Sequence, residues 1–360
     1  MTKKIRVLYT IPNFDTAGSG KVLYDLAKGL DKTKFDVIIA CKHNKGDFFK
    51  EVQALGLPIH FIDAKVPLRP YFNLIYRLKP YKDFLKEQSI DIVHSWNWSS
   101  DWSEVLASRL GGVTFVFTKK AMSWGNLHWK LKSFLSNFII TTNAEMTDFF
   151  PYKKQQRLIP FGLDTAYYNS ELFLKRDSNS KFKIVTVANL VKVKGIETLL
   201  RAIKITQKPD IFLDVIGDDT DEYAGYLKQM VTDLDIENQV SFLGKQNDVR
   251  PFLAQSDLYI IPSKKEGMPM ALVEAMTMQL PVLGSNIPGV NYVLKDFSEL
   301  LYETNNAKAL SIKILEIYDK PLDERQAIGK KLRDYCLTHF SLNSFIESHE
   351  TLYFKLAGKN

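Results

Sequence analysis

The amino-acid sequence predicts an α/β protein made of two doubly wound, parallel-sheet domains. Short apolar runs alternate with segments of helical spacing from one end of the chain to the other, the pattern of parallel strands buried on both faces. The alternation runs through one full cycle and restarts near Lys181. The chain has 360 residues, 45% hydrophobic and 25% charged, a length and composition suited to two globular domains, each with its own core.

The first cycle opens with a strand at Ile5-Arg-Val-Leu-Tyr-Thr-Ile11, a Gly-containing turn at Gly18-Ser-Gly20, and helical spacing from Val22 to Leu30. Strands are expected at 36–40, 59–62, 91–94, 114–118 and 138–141. The second cycle reads as a strand at 183–187, a helix at 195–205, a strand at 211–216, a helix at 223–234 and a strand at 240–243. A short helix at 249–255, a strand at 258–261, a helix at 269–278 and a strand at 281–283 complete it, and 343–356 reads as an aromatic helix. The boundary is expected between Leu163 and Lys181, because Ser170 to Ser180 is polar and aperiodic. This divides the chain into domains 1–165 and 166–340.

Bulk properties exclude several classes. The N-terminus has too short an apolar run for a signal peptide, and no stretch approaches the ~18 apolar residues of a membrane span. Cys41 and Cys336 are far apart and lack metal-ligand spacing, which points to a reducing cytoplasm without a disulfide framework. The net charge of +7 favours anionic partners. Nucleic acid is not expected, since no nucleic-acid motif accompanies the charge.

The most informative element is Glu266-Gly-Met-Pro-Met-Ala-Leu-Val-Glu274. Glu266 falls on the loop at the carboxyl end of a strand and Glu274 about two turns into the next helix. That edge is where open α/β sheets bind ligands, and a first helical turn offers backbone N–H groups and a positive dipole end. Two carboxylates there are placed to accept hydrogen bonds from sugar hydroxyls. Upstream, Val187 to Leu200 is a strand, a basic loop and a helix start, with Lys194 beside the helix N-terminus as a pyrophosphate site.

Other features are less specific. Gly18-Ser-Gly20-Lys21 is not a P-loop, because Asn13 stands where the first Gly belongs and Val22 where Ser or Thr binds magnesium. It is either a turn that approaches a phosphate or sugar, or a plain strand-to-helix turn. His94, in His94-Ser-Trp-Asn-Trp98, is either a site residue or a packed histidine. Asp218 to Asp221 reads as turn and helix-start chemistry rather than a metal cluster. Between Lys65 and Lys86 there are six basic residues against one acid, interleaved with Tyr71, Phe72, Tyr76, Tyr81 and Phe84. This segment fits peripheral contact with an anionic membrane, an acceptor cleft, or an ordinary surface helix.

Taken in order, the Lys194-Gly195 loop, Phe242-Leu-Gly244, Pro262-Ser263, the Glu-x7-Glu pair and Pro281-Val282 resemble the retaining glycosyltransferases of family 4, of the GT-B fold. The match is strongest over 183–295 and looser in the first half, at Asp91 to His94 and Ile159 to Asp164. The resemblance implies two Rossmann-like domains facing across a cleft, the first for the acceptor and the second for a nucleotide-sugar donor, with helix 341–357 packing back on the first. It implies that Glu274 contacts the ribose, Glu266 the donor sugar and Lys194 the diphosphate, with Glu266, Lys194 and His94 as the catalytic set. The backbone at Gly267, Met268 and Pro269 would line the sugar pocket, the base would sit near Gly244 and Lys245, and Gly18, Gly20 and Asn189 would border the donor.

The resemblance further implies a UDP-hexose donor, a glycan, lipid-linked or small-molecule acceptor, no cofactor and no metal. It places the enzyme in cell-surface polysaccharide synthesis, in the cytoplasm or at the inner face of the membrane. Two positions depart from the family pattern. Asn189 stands where Arg is usual, and Lys119 and Lys120 stand where a His is frequent, with these lysines as replacement phosphate or acceptor contacts. The alternatives are a nucleotide-sugar epimerase of the same architecture and a catalytically silent partner subunit.

Overall fold

The computed structural model describes residues 3–15, 18–173 and 181–358. The chain divides into two compact units, Met1–Gly162 with Leu342–Asn360, and Leu163–Ser341. The expected boundary segment 170–180 is described only as far as residue 173, where a short 3₁₀ turn runs from Ser170 to Leu172; the rest of it lies outside the described residues.

The strands of the first unit are β1 (Ile5–Thr10), β2 (Phe35–Cys41), β3 (Ile59–Phe61), β4 (Ile92–Ser95), β5 (Thr114–Lys119), β6 (Phe138–Thr141) and β7 (Gln156–Leu158). They lie in the order β3-β2-β1-β4-β5-β6-β7, and every adjacent pair is parallel. The register aligns Ile38, Leu8, Val93 and Phe115 in one row across four strands. All four are buried, which explains why these strands read as continuous apolar runs rather than as alternating ones.

The second unit holds β8 (Phe182–Val187), β9 (Ile211–Ile216), β10 (Val240–Phe242), β11 (Leu258–Ile261), β12 (Val282–Ser285) and β13 (Leu301–Tyr302). Their order is β10-β9-β8-β11-β12-β13, again with all neighbours parallel. Both sheets are doubly wound. The strand order reverses between β1 and β4 in one and between β8 and β11 in the other, and the carboxyl ends of those strand pairs are where such sheets open a crevice.

Several features differ from the sequence reading, the helices Asp47–Gln53, Ser103–Leu110, Leu127–Leu135 and Ala307–Tyr318 among them. Helix Gly18–Gly29 begins four residues before Val22, so Gly18-Ser-Gly20 is its first turn rather than a loop. A Cβ at Gly20 would lie 3.1 Å from Phe14 Cδ1, so the small residue lets the helix start pack against that ring. The edge strands β7 and β13, of three and two residues, are too short to carry a periodic signal. Helix Leu322–His339 also went unread, because among its 18 residues only Gly329, Leu332 and Cys336 are buried and its apolar stripe is thin.

Helix Leu342–Leu356 belongs to the first unit. A Cβ at Gly29 would stand 2.1 Å from Ile346 Cδ1, so the two helices touch closely. Tyr353 on the same helix brings its hydroxyl within 3.1 Å of the Tyr9 hydroxyl. Both cysteines are buried free thiols. Among the described residues no helix is long and apolar enough to cross a membrane.

Candidate active site

In the second unit, β8 and β11 are the strands at the reversal, and each feeds a loop that carries one half of the site. After β8 the chain makes a 3₁₀ turn, Lys192–Lys194, and passes through Gly195 into helix Ile196–Thr206. Gly195 has φ +67°, and a Cβ there would lie 2.2 Å from the carbonyl oxygen of Pro262. Both facts demand glycine: a left-handed backbone, and a loop pressed against the end of β11. The amide of Lys264 donates to the carbonyl of Val193 at 2.7 Å and joins the two loops.

The loop after β11 carries Glu266 and leads through buried Gly267, Met268 and Pro269 into helix Met270–Thr277. Its floor is also close-packed. A Cβ at Gly289, in the helix after β12, would lie 2.5 Å from the Gly267 carbonyl oxygen. On this frame Lys194 Nζ meets Glu266 Oε1 at 2.6 Å. The Ser263 hydroxyl donates to the same oxygen at 2.7 Å, and the Ser285 hydroxyl holds the Ser263 carbonyl. Glu266 and Lys194 side chains are 12% and 24% exposed, so the pair is shielded yet still reachable from solvent.

Glu274 sits on the helix that follows. It accepts a hydrogen bond from Tyr168, whose hydroxyl is pushed far above its ordinary pKa by burial and then by the Glu274 charge. Buried Tyr259 on β11 is raised by burial, and next by the charges of Glu274 and Glu266, so both carboxylates act on one ring at the strand end. Arg333 locks the arrangement from behind. Its guanidinium donates to the carbonyls of Tyr168 at 2.8 Å and of Thr277, the latter at the helix carboxyl end, where a cation is favourable.

The remaining expected donor residues lie on the neighbouring strand ends. Asn189 is exposed just past β8. Gly244, with φ +65°, follows β10 and accepts from the Gly217 amide at 3.1 Å, next to exposed Lys245. Asp218 accepts from the Thr220 amide and hydroxyl, and Asp221 caps helix Glu222–Asp233. These acids therefore serve the local turn. Tyr168, Arg333 and the Asp248–Arg250 pair, whose guanidinium lies 3.5 Å from the Tyr167 ring centre, escaped the sequence reading. None stands in a motif, and only long-range packing brings them in.

In the first unit the structure corrects the expected roles of three residues. His94 is fully buried, with Nδ1 2.6 Å from the Tyr353 hydroxyl and Nε2 2.6 Å from Thr118 Oγ1. Burial, then His349 and Lys120, hold its pKa well below the ordinary value. It is a packed, neutral histidine and not a catalytic one. Lys119 is buried, with Nζ donating to Ser123 and lying 3.8 Å from the Trp129 ring centre. Lys120 Nζ donates to the Trp96 carbonyl and faces the Trp96 and Trp98 rings. Burial, then Lys132, lower its pKa to about 7. The Lys119 ammonium is enclosed against the Trp129 ring, and half-buried Lys120 is held against the Trp96 carbonyl. Glu104, also buried, accepts from Ser95 and Asn97 at 2.8 Å each.

An ion pair and a second carboxylate stand at the reversal of a doubly wound sheet, the edge where such sheets bind ligands. The profile of the family described as Glycosyl transferases group 1 matches residues 171–335, which contain Lys194, Glu266 and Glu274. That of Glycosyltransferase Family 4 matches residues 16–166. The chain belongs to family 4 of the glycosyltransferases and has the GT-B fold.

The chain is similar to the UDP-Gal:alpha-D-GlcNAc-diphosphoundecaprenol alpha-1,3-galactosyltransferase of Escherichia coli, at 29% identity with 90% of each chain covered. It is also similar to the N-acetyl-alpha-D-glucosaminyl L-malate synthase of Bacillus anthracis, at 28% identity over 61% of this chain and 58% of that one. Its fold matches the crystal structure of Anabaena HepE in complex with UDP and glucose, with a TM-score of 0.81 at 18% identity over 97% of this chain and 99% of that one.

Proposed function

We propose that this glycosyltransferase moves a hexose from a UDP-sugar, with retention of anomeric configuration and without a metal, to a glycan or lipid-linked acceptor in cell-surface glycan synthesis at the cytoplasmic side of the membrane. The observation that carries this reading is the Lys194–Glu266 ion pair at the β8–β11 reversal, with Glu274 on the helix behind it. The names of the E. coli galactosyltransferase and the B. anthracis synthase support the class of reaction, and UDP in the Anabaena structure supports the donor.

In this reading Glu274 accepts from the ribose hydroxyls and Glu266 from the donor sugar. The backbone at Gly267, Met268 and Pro269 lines the sugar pocket. The base lies toward Gly244 and Lys245. Lys194 faces the diphosphate, where negative charge develops as the anomeric bond breaks, and a preorganised cation in a shielded site stabilises that charge. The acceptor oxygen bonds to the anomeric carbon on the face the phosphate leaves. The electron pair of the broken bond stays on the phosphate oxygen, which takes the acceptor proton. No separate protein base is needed.

A thermal-shift series with UDP, GDP and their sugars, with and without a chelator, tests this. A ligand that binds the folded chain raises its melting temperature. UDP and one UDP-sugar are expected to do so equally in chelator. No shift with any nucleotide, or a shift that requires magnesium, would count against the reading.

A further inference from the structure

The helix Leu74–Glu87 in the first unit buries one face and leaves the other bare. Leu74, Leu78, Tyr81 and Leu85 point into the core, at the i, i+4, i+7 spacing of an anchored amphipathic helix. On its first turn Tyr76 is 79% and Ile75 61% exposed, and on the 3₁₀ turn Tyr71–Asn73 that leads into it Phe72 is 89% and Tyr71 53% exposed. Four large apolar side chains this open, contiguous over one turn, mark a docking surface rather than scattered exposure.

The patch is held in shape. Arg77 donates through Nη2 to the Pro70 carbonyl at 2.6 Å, through Nη1 to the carbonyls of Pro67 and Arg69, and through Nε to Asn73 Oδ1 at 3.0 Å. The turn that carries Tyr71 and Phe72 is thereby stapled to the helix.

The charge of the segment that carries the patch selects the partner. Between Lys65 and Lys86 there are six basic residues and one acid, and Lys79 bridges that acid, Asp83, at 2.6 Å. A second copy of the chain docked on this face about a two-fold axis would set like charges against each other. A bilayer bearing anionic headgroups complements both parts, because aromatic rings settle at the headgroup level and lysine or arginine stays at the charged surface.

We infer that the face made by Tyr71, Phe72, Ile75 and Tyr76 with its basic rim docks the protein on an anionic lipid surface. The inference goes beyond the transferase reading and holds whether or not the acceptor is lipid-linked.

The full chain is sedimented with phosphatidylcholine vesicles with and without about a third phosphatidylglycerol. It is expected to bind only the anionic vesicles, and less as salt rises. Phe72→Ser with Tyr76→Ser is expected to lower partitioning at least about tenfold, with donor binding in solution unchanged. Arg69→Gln with Lys86→Gln, which spares the apolar residues, is expected to weaken binding by a smaller factor and flatten its salt dependence. Equal sedimentation of the wild type and both variants, no binding to anionic vesicles, or a dimer that only the Phe72/Tyr76 variant dissociates, each overturns the inference.

Discussion

Lys194 and Glu266, 72 residues apart in sequence, meet at 2.6 Å through Nζ and Oε1. Each comes from the loop after one strand of the β8–β11 pair, where the sheet order reverses. Each charge balances the other. In the proposed reaction a donor diphosphate would compete for Lys194, and a sugar hydroxyl would take the freed acceptor capacity of Glu266. The pair thus holds both side chains in position before the ligand arrives.

Lys194→Ala and Glu266→Ala are each expected to lower kcat by about a hundredfold or more, the usual loss when a charge-stabilising group is removed. The double variant should fall by much less than the product of the two, because the groups share one contact. Initial rates of donor hydrolysis or sugar transfer measure this. Fully multiplicative losses would show that the two act independently.

Glu274→Ala is expected to weaken UDP binding about tenfold or more, the scale of one or two hydrogen bonds to a charged group, while kcat changes less. Tyr168→Phe, which removes the hydroxyl that donates to Glu274, should have a smaller effect in the same direction. Calorimetric titration with UDP separates the two. Unchanged affinity in Glu274→Ala removes its assignment to the ribose.

Gly195→Ala places a Cβ 2.2 Å from the Pro262 carbonyl oxygen on a backbone at φ +67°. The loops after β8 and β11 must then separate. A stability loss of about 1–3 kcal/mol is expected, together with loss of UDP binding, since the same movement parts Lys194 from Glu266. Thermal melts with and without UDP read both. An unshifted melt with full binding would show the contact to be soft.

Acid should destabilise the first unit through its buried histidines. Burial, the largest cause, holds His349 at about 4 against an ordinary 6.5. Above 6.5 the group is neutral in both the folded and unfolded chain and contributes no pH dependence. Between about 6.5 and 4 the unfolded chain binds a proton that the folded chain refuses, so stability falls as pH falls, by roughly 3 kcal/mol for this one group. His94, stacked on it at 5.6 Å and shifted the same way, steepens the slope. His349→Phe should flatten the decline in melting temperature over that window while leaving the neutral-pH value little changed. An identical acid slope in the variant would place the loss elsewhere.

Much of the architecture is legible in the chain. The apolar runs at Leu258 to Ile261 and Lys183 to Val187 mark buried parallel strands, and the polar residues just beyond them, Glu266 and Lys194, mark the binding edge. The two-residue strand β13 leaves no periodic trace, and helix Leu322–His339 shows almost none because it contacts its neighbours through few side chains. The early start of helix Gly18–Gly29 is hidden by glycines whose local preference is for turns, until packing against Phe14 overrides it.

The fold class, the family resemblance and the two loops that carry Lys194 and Glu266 are written in consecutive residues, because strand burial and loop chemistry are local properties. Tertiary structure alone decided that Lys194 pairs with Glu266, that Tyr168 donates to Glu274, and that His94, Lys119 and Lys120 turn inward. Those outcomes depend on which strands become neighbours and which side chains the surrounding rings enclose. Apart from the local contacts of Lys119, they come from contacts between segments tens to hundreds of residues apart.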